Sequence, residues 1–188
     1  MTDKIFEEEN HIYQIDFSAA LWATDQLHTV FQTNTVSLLS DVDFVAETED
    51  EVLLVEYKNA NISNASNPGA FRPRDQKLVQ KIAFKYYDSW IYLRYLKKDK
   101  PFHYIYILEY PDGDAVSRRW IRNMATRMLP FGLQNLPEIQ DNIISAFDVL
   151  SAFDELEELL SEQPAITAHD IISETRSAVI FFIINTSF

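Results

Sequence analysis

Two acidic residues and a lysine lie close together between residues 41 and 60, and their types could hold a divalent cation. Asp43 lies in DVDF, and Glu56 and Lys58 lie in VLLVEYKN. Carboxylate oxygens are the protein ligands that Mg²⁺ prefers, together with water and phosphate oxygens. A bound metal lowers the pKa of its water, and a nearby ammonium group stabilises the charge on a phosphorane. The three residues therefore suit metal-dependent phosphodiester hydrolysis.

A β-hairpin is the element that would bring these residues together. Residues 43–58 are rich in Val, Leu and Phe on either side of the polar stretch TEDE. A turn centred on the Glu-Asp of TEDE places Asp43 opposite Glu56, and Asp41 opposite Lys58. Opposed side chains share a face, with Cβ atoms about 4.5–5.5 Å apart. A four-residue loop keeps this pairing, whereas an odd-length loop would break it.

Two carboxylates at this separation on a half-buried sheet repel each other. One of them must hold a proton near neutral pH unless a cation lies between them. A divalent ion removes the repulsion and uses both groups as ligands. The sequence therefore predicts a Mg²⁺ site, which Mn²⁺ could also fill, with Asp43 and Glu56 as its ligands.

The periodicity of apolar residues predicts the elements around the hairpin. Residues 74–97 have apolar groups every three or four positions, and FHYIYILE alternates as a buried strand does. The order predicts an α/β fold with a mixed sheet and helices on its faces. The predicted elements are a strand or arm in 1–16, a helix over 17–32, strands over 35–39, 43–48 and 51–58, a helix over 74–97, a strand over 102–109, helices over 116–129 and 137–161, and a strand or buried tail in SAVIFFIIN.

The charge of the chain is unevenly distributed. The net charge is −13, yet residues 58–127 hold 14 of the 16 Lys and Arg residues and only 6 of the 29 acidic residues. A basic middle between acidic ends is typical of a surface that binds phosphates, and segregation for solubility explains it equally well.

The chain has no cysteine, which excludes disulfides and thiol catalysis. The sequence has no secretory signal pattern and no apolar run long enough to span a bilayer, so we expect a cytoplasmic protein without a membrane partner.

Residues 18–110 resemble the PD-(D/E)XK nuclease-like superfamily, which has a restriction-endonuclease-like fold. Its hallmark is an aspartate, a hairpin and Glu-x-Lys on the next strand, matched here by Asp43, Glu56 and Lys58. The resemblance implies a core ordered helix, three strands, helix, strand. It also implies a Mg²⁺-dependent phosphodiesterase that acts on nucleic acid, usually DNA, with these three residues catalytic.

The family often adds an acidic residue from the first helix and a polar or basic residue from the helix after the motif. Asp25 in WATDQL matches the first, and Lys81 or Lys85 in QKIAFKYYDSW matches the second. Position 42 is Val where the family name has Pro, and the first-helix carboxylate is Asp rather than the commoner Glu. Residues 111–188 carry no motif of the family. We expect a nuclease-like core over 1–130 and, from the periodicity of apolar residues, a helical extension over 131–188 with an apolar tail packed on the core.

Other interpretations of the same residues stay open at this stage. Asp43 could begin an ordinary strand, and Lys58 could form a surface salt bridge with Asp41. The lysines at 77, 81 and 85 could form a solvated helix face, and the aromatic residues of 84–106 are first of all core material. The superfamily also contains members that do not cleave, so an interaction or assembly module is the second hypothesis. The apolar tail could seal a homodimer or cover an edge strand.

Overall fold

A mixed five-stranded β-sheet forms the centre of the chain, and a three-stranded antiparallel sheet packs on one of its faces. The computed structural model describes residues 4–9, 11, 13–34, 38–60, 71–110, 115–136, 144, 146–151 and 183–185. The elements are β1 (Ile5–Glu7), β2 (Tyr13–Asp16), β3 (Trp22–Thr24), α1 (Leu27–Thr33), β4 (Phe44–Glu47), β5 (Val52–Asn59), α2 (Gln76–Tyr95), β6 (Phe102–Glu109), α3 (Ala115–Thr126), a 3₁₀ helix (Pro130–Asn135), β7 (Ala146–Ser151) and β8 (Ile183–Asn185).

The central sheet has the strand order β3-β4-β5-β6-β7. The pairs β3–β4 and β4–β5 are antiparallel, whereas β5–β6 and β6–β7 are parallel. Parallel neighbours need a crossover connection, and the chain between β5 and β6 contains α2. The second sheet has the order β1-β2-β8. The predicted mixed α/β class is confirmed, and no helix in the described part of the chain is long and apolar enough to cross a bilayer.

Strand β5 is buried on both faces, which explains its unbroken apolar run. Leu54 packs in a core with Val79, Ile82 and Tyr86 of α2. Its neighbour Val55 packs on the other face, in a core that includes residues of β2. Full burial of one Val or Leu side chain stabilises the fold by about 1.5–3 kcal/mol. The two cores therefore fix the position of α2 relative to β5. The candidate site depends on this relative position.

The register predicted for the hairpin is confirmed. Phe44 is paired with Val55, so Asp43, one residue before β4, lies opposite Glu56. The turn is closed by the Thr48 N–H, which donates to the Glu51 carbonyl oxygen at 2.9 Å. The Thr48 hydroxyl oxygen also accepts the Glu51 N–H at 3.1 Å. This local side-chain bond accounts for a tight turn at a Glu-Asp pair, which is not a preferred hairpin turn.

The helix predicted over 17–32 is wrong over its first half. Helix α1 begins at Leu27, and Trp22–Thr24 instead forms β3, which pairs with β4. The apolar residues at helical spacing belong to different cores: Phe17 packs on the face shared with β2, and Leu27 packs on the face shared with α2. One short helix could not bury both residues. Of the strand predicted over 35–39, residues 35–37 lie outside the described residues, and 38–39 are not in a strand.

The helix predicted over 137–161 is wrong at residues 146–151, which form β7. Phe147 packs against Tyr104 of β6 with ring centroids 5.3 Å apart, and Leu150 packs in the core on the opposite face. This alternation is that of a strand. Residues 137–143 and 152–161 lie outside the described residues. The division of the chain after residue 130 stays a prediction, although β7 belongs to the same sheet as β6.

The remaining predicted elements are confirmed in type. The helices over 74–97 and 116–129 correspond to α2 and α3, and the strand over 102–109 corresponds to β6. The leading segment contains β1 and β2. In the last segment, Ile183–Asn185 forms β8, and residues 177–182 lie outside the described residues.

His103 of β6 links the hairpin turn to β7 near the amino-terminal end of β5. His103 Nε2 lies 3.0 Å from Asp148 Oδ2 of β7, and His103 Nδ1 lies 3.6 Å from Glu51 Oε2 beside the turn. Burial alone would lower the pKa of His103, but the hydrogen bonds to Asp148 and Glu51 outweigh it and raise the pKa to about 9. The protonated imidazole therefore links the turn to β6 and β7.

We expect the free energy of unfolding to fall as the pH rises through about 9, because the pKa of His103 is higher in the folded chain than the ordinary 6.5. The stabilisation is complete below about pH 6.5 and absent well above pH 9. His103→Gln should lower the free energy of unfolding by on the order of 1–2 kcal/mol near pH 6 and by little near pH 10. Urea unfolding at both pH values measures this difference, and an equal loss at both would contradict the assignment.

Candidate functional site

Three charged side chains meet on the face of the central sheet that carries α2. Asp43 comes from the residue before β4, Glu56 from the carboxyl-terminal half of β5 and Lys85 from the middle of α2. Glu56 shares its face with Leu54 because strand side chains alternate. The carboxyl end of parallel strands is where open α/β sheets bind their ligands. The group therefore lies where the fold favours a binding site.

Lys85 connects the two carboxylates directly. Its Nζ lies 2.7 Å from a carboxylate oxygen of Glu56 and 3.5 Å from Oδ1 of Asp43. The other oxygen of Asp43, Oδ2, accepts the backbone N–H of Tyr57 at 2.8 Å. The Glu56 side chain is only 9% exposed, whereas that of Asp43 is 36% exposed. Solvent therefore reaches the group from the Asp43 side.

Burial and mutual repulsion shift the protonation of the group. Burial, reinforced by the charge of Asp43, raises the pKa of Glu56 to about 8. Burial also raises the pKa of Asp43. Burial would lower the pKa of Lys85, but the charges of Glu56 and Asp43 outweigh this and raise it. Near neutral pH the two carboxyls thus share one proton, as expected from the sequence, and the remaining negative charge is balanced by Lys85.

Tyr106 is a further member of the site that the sequence did not indicate. It is paired with Glu56 in the parallel register of β5 and β6. Its hydroxyl is buried and has no hydrogen-bond partner in the described part of the chain. Burial, with the nearby charge of Glu56, raises the pKa of this hydroxyl well above its usual range. Tyr106 is therefore a neutral polar group beside the buried carboxyl.

Lys58 does not join the group in the way the sequence predicted. It is exposed, two residues beyond Glu56 in β5, and it forms no ion pair with any residue that the structure describes. Asp41, its expected partner across the hairpin, instead lies with its Oδ1 3.3 Å from Nδ1 of His28. The ammonium that contacts both carboxylates is that of Lys85, which the sequence named only as an auxiliary candidate.

Asp25 and Lys81, the other two auxiliary candidates, lie away from the three charged groups. Asp25 precedes α1, which begins at Leu27, so it is not carried by the first helix as expected. Its Oδ1 accepts a hydrogen bond from the side-chain amide of the adjacent Gln26. Lys81 is exposed on α2 one turn before Lys85. Neither residue forms a hydrogen bond or an ion pair with Asp43, Glu56 or Lys85 in the described residues.

The donor set fits a cation held by two carboxylates. The described residues contain no cluster of three or more His, Cys, Asp or Glu side chains that could hold a metal. Mg²⁺, however, is commonly held by one or two carboxylates, with water and phosphate oxygens completing its shell. The Lys85 ammonium shows that a cation can contact Asp43 and Glu56 at once. The pair therefore provides the minimum protein ligands that Mg²⁺ or Mn²⁺ needs.

Comparison of the chain with protein-family models, with curated proteins and with solved structures finds no match. We therefore infer a function from the residues of the chain and from their geometry.

We expect the pKa of Glu56 to respond to its two charged neighbours and not to Lys58. Asp43→Asn should lower it from about 8 because a repelling charge is removed, and Lys85→Met should raise it because an attracting charge is lost. Lys58→Met is the matched control and should leave it unchanged. Carbon-13 NMR titration of the Glu56 carboxyl group measures all four proteins. Equal shifts in Lys58→Met and Lys85→Met would contradict the geometry.

Proposed function

We propose that this protein is a Mg²⁺-dependent nuclease, able to use Mn²⁺, that hydrolyses phosphodiester bonds of nucleic acid, in the first place DNA. The observation that carries the proposal is the convergence of the Asp43 and Glu56 carboxylates on one cation, the Lys85 ammonium. Two carboxylates that could hold a divalent ion, with an ammonium beside them, suit metal-assisted hydrolysis.

The order of the elements supports the proposed PD-(D/E)XK-like core in part. Helix α1, the β4–β5 hairpin, α2 and β6 follow each other along the chain, with two strands instead of three between the helices in the described residues. The hairpin is followed by a helical crossover to a parallel strand. The strand that covers the other edge of β4 is β3, which precedes α1 instead of following it. The likeness is therefore strongest from β4 to β6, the part that carries the candidate site.

The residues would divide the work according to their positions. Asp43 Oδ1 and the carboxylate of Glu56 would hold the ion, and the Tyr57 N–H would keep Asp43 in place through Oδ2. The metal, when bound, would supply a water of lowered pKa and neutralise charge on the phosphate. Lys85, displaced from between the carboxylates, would remain within reach of the phosphate and stabilise its developing charge. Lys58, exposed beyond Glu56, would contact the phosphate backbone of the substrate.

A second candidate function is a non-catalytic interaction or assembly module. Lys85 and one proton already neutralise the two carboxylates without a metal, and a buried ion pair of this kind can be purely structural. The 23 acidic residues outside 58–127 would suit a basic protein partner. The two candidates differ in whether a divalent ion can replace the ammonium.

The nuclease proposal predicts that cleavage depends on Glu56 and Lys85. Glu56→Gln removes a ligand charge, and Lys85→Met removes the ammonium, so each should reduce cleavage by at least about 100-fold. Single-stranded, duplex and branched DNA, each with Mg²⁺ or Mn²⁺, are the substrates to assay.

Glu49→Gln and Lys97→Met are matched controls, since both residues are exposed and lie outside the site. Both should cleave like the unaltered protein, and Lys58→Met should lose about tenfold or less. Full cleavage by Glu56→Gln would contradict the site, and no cleavage of any substrate by the unaltered protein would favour the module.

Removal of the competing ammonium should strengthen metal binding. Lys85→Met leaves two carboxylates without a counter-ion, and we expect its affinity for Mn²⁺ to rise by roughly tenfold or more. Titration calorimetry at one fixed pH measures the affinity, with Lys97→Met as the control that should not change. Unchanged or weaker Mn²⁺ binding in Lys85→Met would show that the ammonium does not occupy the position of the ion.

A further inference from the structure

The outer face of α2 presents aromatic and basic side chains side by side. Phe84 is 60% exposed and Tyr95 is 80% exposed, although aromatic residues of this segment were expected first of all in the core. Lys77 and Lys81 are exposed on the same helix. With Ile91 included, the consecutive positions 77, 81, 84, 91 and 95 are four, three, seven and four residues apart. This spacing places all five on one helical face. We call this face the α2 platform, defined by Lys77, Lys81, Phe84, Ile91 and Tyr95.

The aromatic residues of the platform are not needed to pack the helix. The opposite face of α2 already buries Val79, Ile82, Tyr86 and Leu93 against the sheet. Neither Phe84 nor Tyr95 makes a ring contact or a side-chain hydrogen bond with any residue that the structure describes. Large apolar side chains at this exposure, on a face that also carries cations, indicate an interaction surface.

The platform is basic towards its N-terminal end. Arg72 and Arg74 are exposed just before α2, next to Lys77 and Lys81. Two acidic side chains lie nearby and accept backbone N–H groups, Asp75 Oδ1 from Lys77 at 2.9 Å and Asp88 Oδ2 from Ser40 at 2.8 Å. The four cations at this end of α2 outnumber them. A polyanion therefore complements the cations at one end of the helix, and flat apolar groups complement the aromatic rings at the other.

We propose that the α2 platform binds single-stranded nucleic acid, with phosphates on Lys77 and Lys81 and bases stacked on Phe84 and Tyr95. Aromatic rings interspersed with cations are the usual means of holding single strands, because every unpaired base offers a π-face. A duplex keeps its bases stacked inside and offers only phosphates to such a surface. The aromatic half of the platform therefore distinguishes single strands from duplexes.

The position of the platform connects it to the candidate site. Lys81 precedes Lys85 by one helical turn, about 6 Å along the axis, and Phe84 is the residue before Lys85. Lys85 faces the sheet and the platform faces outwards, so a strand bound by the platform would have to pass around α2 to bring a phosphodiester to Asp43 and Glu56. This inference rests on the proposed nuclease function for its substrate class, but the binding itself requires no metal and no cleavage.

The test is fluorescence anisotropy with a labelled 20-nucleotide oligo(dT) and a 20-base-pair duplex, in EDTA so that cleavage cannot contribute. We expect the unaltered protein to bind the single strand at least tenfold more tightly than the duplex. Phe84→Ala with Tyr95→Ala should weaken single-strand binding at least tenfold and leave duplex binding unchanged. Lys77→Ala with Lys81→Ala should weaken both and make binding less dependent on salt. Leu133→Ala, exposed outside α2, is the control that should change neither.

Several results would overturn the inference. They are no single-strand binding, a preference for the duplex, or full binding by the Phe84→Ala, Tyr95→Ala variant. Self-association in sedimentation that this variant abolishes would assign the face to a second copy of the chain and also overturn it. Hydrolysis of bis(4-nitrophenyl) phosphate with Mn²⁺ tests the site separately, because this small ester does not need the platform. If the unaltered protein binds oligo(dT) but does not hydrolyse this ester, only the nuclease proposal is contradicted.

Discussion

The contact of Lys85 with Asp43 and Glu56 is the interaction on which the candidate site depends. A carboxylate as deeply buried as Glu56 costs several kcal/mol in lost hydration unless charge or hydrogen bonds compensate it. Here the compensation is shared by the ammonium, by a proton held near neutral pH and by the Tyr57 N–H that fixes Asp43. The charge of such a group has to be balanced by a proton, an ammonium or a metal ion.

The rest of the fold supplies the rigidity that this contact requires. The hairpin register sets Asp43 opposite Glu56, and the core between β5 and α2 sets the height of Lys85 above the sheet. At the opposite end of β5, His103 ties the turn to β6 and β7. Because β5 is buried on both faces, a one-residue shift of its register would turn Glu56 away from α2 and into the opposite apolar core. The site is therefore fixed by interactions that stabilise the whole domain.

The parts of the structure that could be predicted from the sequence are those encoded locally. The apolar runs of β4 and β5 and the periodicity of α2 carry strong local signals. The polar stretch between the two strands predicted the Asp43–Glu56 pairing, although Glu-Asp is not a preferred hairpin turn. The boundaries of α1 and the strand character of β7 could not be predicted. In both segments the apolar residues have a helical spacing, but they pack in two different cores on opposite faces of the sheet. Such assignments depend on which face of the sheet each residue meets, and that is a non-local property.

The same limit explains why the sequence indicated Lys58 rather than Lys85. Alternation along β5 places Lys58 on the face of Glu56, but only the packing of α2 on the sheet decides which ammonium reaches the carboxylate. Tyr106 was missed for a similar reason, since its place beside Glu56 follows from the pairing of two strands that are distant in sequence. The sequence pattern was therefore enough to identify the two carboxylates. Their neighbours Lys85 and Tyr106 are determined by tertiary packing.

Both candidate functions use the same three side chains, and they differ in the cation that occupies the space between the carboxylates. Crystals of the protein grown with Mn²⁺ above pH 8, where Glu56 is ionised, would show that cation directly by anomalous scattering. We expect a manganese peak that contacts both Asp43 and Glu56, with the Lys85 ammonium moved away from Glu56. A map with no peak there, and with Lys85 still between the carboxylates, would contradict it.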